Sequence, residues 1–131
     1  MNNKNIILSF IAFMLIAIIG GMGYWWYSFG YIKSVKPYTD PYKGYSEAEL
    51  VKMQEKGDLD ATAELGNKAF NKGEYNKAYS LYIKAAEKNN ARGQNGLGCY
   101  YSHLGKYKES YKWFEESSKQ DYVPALINLA I

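Results

Sequence analysis

A period of 32 residues runs through the carboxy-terminal two-thirds of this chain. Leu65-Gly66 returns as Leu97-Gly98 and, weakened, as Leu129-Ala130. Between these, Gly73, Tyr75, Tyr79 and Tyr82 answer to Gly105, Tyr107, Tyr111 and Phe114. A fixed period of this size belongs to stacked helical pairs, each of which buries its apolar face only against its neighbours. The expected fold is therefore all-α. Arrays of this kind present surfaces to partners and seldom carry out chemistry, so the class of activity expected is binding.

Local signals place the helices. Ser46-Glu47-Ala48-Glu49 is a capping box, in which the serine hydroxyl and the Glu49 carboxylate satisfy free amides at a helix start, and Gly57 suits its end. This predicts a helix over 46–56. Counting 32 back from Tyr82 reaches Leu50, so the helix takes the place of the second member of a preceding pair and caps the array. Repeats follow at 60–88 and 91–120, with a partial repeat at 124–131. Ala61, Leu65 and Ala69 share one face of the first leading helix, and Ala78, Tyr82 and Ala85 one face of its partner. Ala61, Gly93 and Ala125 form a column of small residues where neighbouring helices approach closely. Tyr75, Tyr79, Tyr82, Tyr101, Tyr107 and Tyr111 are expected in the core. Asn89-Asn90 and Asp121-Tyr122 fall at the turns between repeats, and Pro124 suits a first helical turn.

These residues resemble tetratricopeptide repeats. The family's order of Leu-Gly, an aromatic or alanine, a small residue, an aromatic and a small residue reads here as Leu65-Gly66, Ala69, Ala78, Tyr82 and Ala85. It returns as Leu97-Gly98, Tyr101, Ser110, Phe114 and Ser117. Leu81 to Glu87 followed by Leu97-Gly98 is also similar to the related Sel-one-like repeats. The resemblance spans residues 46–131. Departures are a period of 32 rather than the usual 34, the missing family tryptophan, and Ser117-Ser118 in place of Ala85-Ala86, which predicts looser packing of the second pair. The resemblance implies a short right-handed α-solenoid of antiparallel pairs whose leading helices line a groove for a protein or peptide segment. Carried over residue by residue, the groove positions are Asp60, Ala63, Asn67 and Phe70, then Arg92, Asn95, Cys99 and Ser102. Asparagines there suit a peptide backbone, and Arg92 suits a carboxylate. The family's paired lysine-and-asparagine clamp for a terminal carboxylate is incomplete. The function implied is a protein-binding adaptor or scaffold; the alternative is an immunity-type protein that binds and neutralises a toxin.

The amino-terminal segment reads differently. After a tail at 1–5, no charge occurs between Lys4 and Lys33, and Tyr24-Trp25-Trp26-Tyr27 closes an apolar run. A helix over 6–27 would be roughly 33 Å long at ~1.5 Å per residue, enough for a bilayer core of ~30 Å, with the rings at headgroup level. One uncleaved transmembrane anchor is the reading adopted. Its rival is a signal peptide cut near Gly21 or Gly23, opposed by the single charge at the start and by three large rings heading the mature chain. A short tail before a soluble domain places the repeats outside the cytoplasm, facing the periplasm or exterior, although the flanking lysines nearly balance. Residues 28–45, with Pro37, Pro41 and Gly44, form a linker. It is either an extended spacer or a strap packed on the domain through Tyr38, Tyr42 and Tyr45.

Several function classes drop out. Sixteen basic and thirteen acidic residues are scattered without a basic block, so no nucleic-acid footprint is visible. A single cysteine permits no intrachain disulfide. Cys99 and His103 lie one helical turn apart, but zinc needs three or four ligands and no other Cys or His exists, so neither a metal nor any cofactor is expected. Without an orienting partner or oxyanion site the pair makes no catalytic dyad, and an enzyme is not expected. The sequence ends eight residues into a third leading helix. Either it is a truncated product, or Leu126, Leu129 and Ile131 pack onto another chain, a second copy included, or onto the domain itself.

Overall fold

A computed structural model describes residues 37–130. The tail at 1–5, the anchor expected at 6–27, the first half of the linker (28–36) and Ile131 lie outside the described residues. The chain divides at Asp40, and the unit from there onward carries all the helices of the described residues. Among the described residues there are six: α1 Glu47–Glu55, α2 Leu59–Asn71, α3 Tyr75–Ala86, α4 Ala91–His103, α5 Tyr107–Ser118 and α6 Val123–Leu129. No strand accompanies them, so the described part is all-α. None of these helices is long and apolar enough to cross a membrane.

Each helix packs on the next in sequence, and α2 also meets α4. The termini explain why the elements start where they do. Ser46 Oγ accepts from the Glu49 amide and Glu49 Oε2 accepts from the Ser46 amide, closing the capping box. Asp58 and Asn90 cap α2 and α4 in the same way, through the amides of Ala61 and Gly93. The reversal between α4 and α5 passes through Gly105 at φ 71°, a left-handed conformation that a β-carbon would strain.

Leu50, Tyr82 and Phe114, spaced at the repeat interval, are buried on α1, α3 and α5, facing Leu65 and Leu97 from the leading helices. The repeated Leu-Gly pair now has a physical cause. A Cβ at Gly66 would sit 2.6 Å from the Tyr82 ring, and one at Gly98 would sit 2.4 Å from the Phe114 ring. Each glycine lets the aromatic of its own pair lie flat on the helix. Tyr82 is enclosed from the other side by Gly96, where a Cβ would fall 2.3 Å from the ring. Because that ring is held between two helices, it cannot swing aside. Gly96→Ala is expected to destabilise the protein by about 1–3 kcal/mol through overpacking, read by denaturant unfolding.

Two expectations need correction. Ser117 does not loosen the second pair: it is fully buried, and its hydroxyl donates to the Ala91 carbonyl at 2.7 Å. Ser110 does the same to the Gly98 carbonyl at 2.8 Å, so both serines stitch α5 to α4. Tyr107 and Tyr111 are not core residues, being 72% and 59% exposed, and Tyr75 too is 38% exposed. Their counterparts Tyr75 and Tyr79 are flanked by His103 and Tyr100 near the end of α4.

Candidate functional site

Helices α2 and α4 carry the expected groove residues, but Ala63 is fully buried and most of the others are already engaged with other side chains of the protein. The Asp60 carboxylate accepts from Asn90 Nδ2 at 2.8 Å. Asn67 donates to Glu64 at 2.7 Å and accepts from the buried Tyr82 hydroxyl at 2.9 Å. Burial pushes that phenol well above its usual range. Asn95 Oδ1 accepts from Asn128 Nδ2 at 3.0 Å, linking α4 to α6, with Cys99 Sγ 3.9 Å from the same nitrogen. Burial raises the Cys99 thiol above its ordinary value, which keeps it protonated and a poor nucleophile. Phe70 stands edge-on to Tyr75 and His103, and His103 stacks on Tyr75 at 4.4 Å. Ser102 is half-buried on the same helix. Among the described residues no three His, Cys, Asp or Glu side chains converge closely enough to hold a metal ion.

Arg92 departs most from the expectation of an open groove cation. It is only 4% exposed. Its guanidinium donates from Nη1 and Nη2 to the two Asp40 oxygens at 2.9 and 2.7 Å, and from Nη1 to Glu64 at 2.9 Å. The fork also lies 5.0 Å from the centre of the Tyr42 ring and 5.8 Å from that of Tyr122. The carboxylate it suits is therefore supplied by the protein itself, from the segment just ahead of α1.

Residues 40–45 thus form a strap rather than a free spacer. Tyr42 donates its hydroxyl to the Asp58 carboxylate at 2.9 Å, the same group that caps α2. The Tyr42 amide donates back to Asp40 Oδ1 at 2.9 Å, making a local turn around Pro41. Sequence reasoning missed Asp40, Glu64 and Asn128 in this network. Glu64 had a signal, since it lies one helical turn beyond Asp60. Asp40 had none, because it stands outside the repeat and 52 residues from its partner.

The electrostatics follow from these contacts. The Arg92 hydrogen bond holds Asp40 below its usual value of 3.8, outweighing its partial burial. Tyr42 moves the other way: burial, then the hydrogen bond to anionic Asp58, raise it from 10.0 to about 12. A phenol whose folded pKa is raised contributes stability that is complete below pH ~10 and lost as pH rises through the folded value. The Tyr42 ring should therefore titrate with a midpoint near 12 in a carbon-detected NMR titration, with the strap resonances shifting together. A midpoint at the unfolded value would mean that the strap is not seated.

At the far end, Leu126 and Ile127 of α6 are 45% and 55% exposed, while Ala125 is buried against the array. Leu129 is half-buried.

No protein-family profile matches the chain. Over 78 residues it is 35% identical to an F-box protein of Arabidopsis thaliana. That stretch is 58% of this chain but 22% of the plant protein, so the chain spans about a fifth of that relative's length.

Proposed function

We propose that this chain is a membrane-anchored, non-catalytic adaptor whose helical-repeat surface binds a protein or peptide segment. In this reading residues 46–131 form a short right-handed solenoid of the tetratricopeptide and Sel-one-like kind. Residues 6–27 hold it at the membrane with the repeats outside the cytoplasm. The observation that carries the reading is the row of half-buried side chains on α2 and α4. Asn67, Asn95, Cys99 and Ser102 lie half-buried along it, neither withdrawn into the core nor fully solvated. Asn95 can exchange its half-buried partner Asn128 for a peptide backbone at little enthalpic loss, whereas Asn67 is committed to the buried Tyr82 hydroxyl. Partial identity with one segment of a much longer F-box protein agrees with a module that serves within otherwise different chains.

The test is crosslinking of the full membrane-inserted chain, with mass spectrometry of captured proteins. Arg92 is unsuited as a probe because it holds the fold together. Asn95→Arg and Ser102→Arg instead fill the surface from half-buried positions. A discrete partner captured by the wild type and lost in the double variant is the expected result; undiminished capture overturns the surface assignment. Recovery of a mature chain beginning at Tyr24 would overturn the anchor.

A further inference from the structure

The strap meets the repeat surface through two side chains two residues apart, and each finds a chemically complementary group. Asp40 fills the Arg92 fork with both oxygens, and Tyr42 presents its hydroxyl to Asp58 and its ring to the guanidinium. Around these two the strap is solvated: Pro41, Lys43, Gly44 and Tyr45 are all exposed. Gly44, at φ 104°, joins the strap to the capped start of α1. The backbone shape that pairs the two side chains is local, set by the Asp40–Tyr42 turn and by Pro41, so another chain can present the same pair.

We propose that Asp40-Pro41-Tyr42 is an internal occupant of a recognition subsite, and that a partner segment carrying aspartate two residues ahead of tyrosine takes its place. The proposal rests on the adaptor reading and names the partner's chemistry. With the strap lifted, Arg92 keeps Glu64 on Nη1 but loses the bidentate acceptor spanning Nη1 and Nη2, a geometry that one planar carboxylate restores and a lone carbonyl does not. Asp58 then lacks the phenolic donor that it takes from Tyr42. The surroundings limit what else enters. Glu64 already sits on Arg92, and Asp58 and Asp60 lie close to Tyr42, so a segment with several acidic residues is repelled, whereas the strap itself balances Asp40 with Lys43. The ligand class is thus a peptide with one aspartate, a tyrosine two residues on, and neutral or basic neighbours. A tethered occupant acts at an effective concentration on the order of millimolar, so the free peptide competes poorly until the strap is weakened.

The probe is a fluorescein-labelled peptide with the sequence of residues 37–45, titrated by anisotropy against the full chain in detergent micelles. Binding to an Asp40→Asn, Tyr42→Ala double variant is expected to be at least tenfold tighter than to the wild type. It should fall at least tenfold when the peptide's own aspartate is replaced by asparagine. Equal binding to wild type and variant, or indifference to that replacement, overturns the proposal. As a readout independent of the variant's folding, unlabelled peptide at several millimolar is added to the wild type, and the Arg92 guanidinium and Tyr42 ring signals are followed by NMR. Displacement of both is expected, and unmoved signals overturn the subsite. Peptide binding without any captured cellular partner would leave the subsite standing and overturn the adaptor reading. Capture of a partner without peptide binding would do the reverse.

Discussion

Replacing Tyr82 by alanine should cost about 3–5 kcal/mol of folding stability, enough to leave a domain of this size largely unfolded at physiological temperature. Among the described residues Tyr82 is the largest fully buried side chain, at 1% exposure. It touches three helices at once: it sits on α3, lies over Gly66 of α2, and is enclosed by Gly96 of α4. Neither glycine has a side chain that could move into the vacated space, so the cavity collapses little and the cost sits at the high end for aromatic truncation. Tyr82→Phe separates the ring from its hydroxyl. It removes one hydrogen bond to Asn67 and should cost only about 0.5–1.5 kcal/mol. Urea unfolding of the three proteins checks both numbers. A Tyr82→Ala loss below about 1.5 kcal/mol would mean that the ring does not join these helices.

The same ring shows how much of the fold was legible in the sequence. Leu-Gly and the aromatic that follows recur at constant spacing because each glycine must clear the ring of its own pair, and that constraint is written into neighbouring residues. The helix start at Ser46 was legible for a similar reason, since a cap bonds to an amide three residues on. Tyr107 and Tyr111 misled because periodicity records which face a residue occupies but not whether a further helix covers it. Arg92 misled more deeply. It occupies the place that Asp60 holds one repeat earlier, which gives its register on the leading helix but not its burial. What reverses its role is Asp40, a residue with no repeat position, delivered by a strap whose two readings the sequence left open. Contacts between a periodic array and a non-periodic segment leave no pattern for periodicity to find.

Arg92→Met should cost about 3 kcal/mol, and the loss should be largely recovered by changing the acids as well. Methionine keeps much of the packing of the side-chain stem but removes the charge, which leaves Asp40 and Glu64 facing each other in a partly buried space. Stripping one member from a buried ion cluster is damaging because the remaining charges lose their compensation, whereas replacing the whole cluster with neutral groups is often close to neutral. Asp40→Asn and Glu64→Gln, added to Arg92→Met, should therefore restore most of the lost stability. The pH dependence adds a second check. Arg92 depresses the folded-state pKa of Asp40 below 3.8, so the carboxylate's contribution is complete above the ordinary aspartate range and disappears as pH falls through the folded value. The stability gap between wild type and Arg92→Met should be widest near neutrality and narrow steadily as the solution is taken below that range. A gap independent of pH, together with a triple variant no better than the single one, would show that Arg92 acts through packing alone and that the strap is not held by its charge.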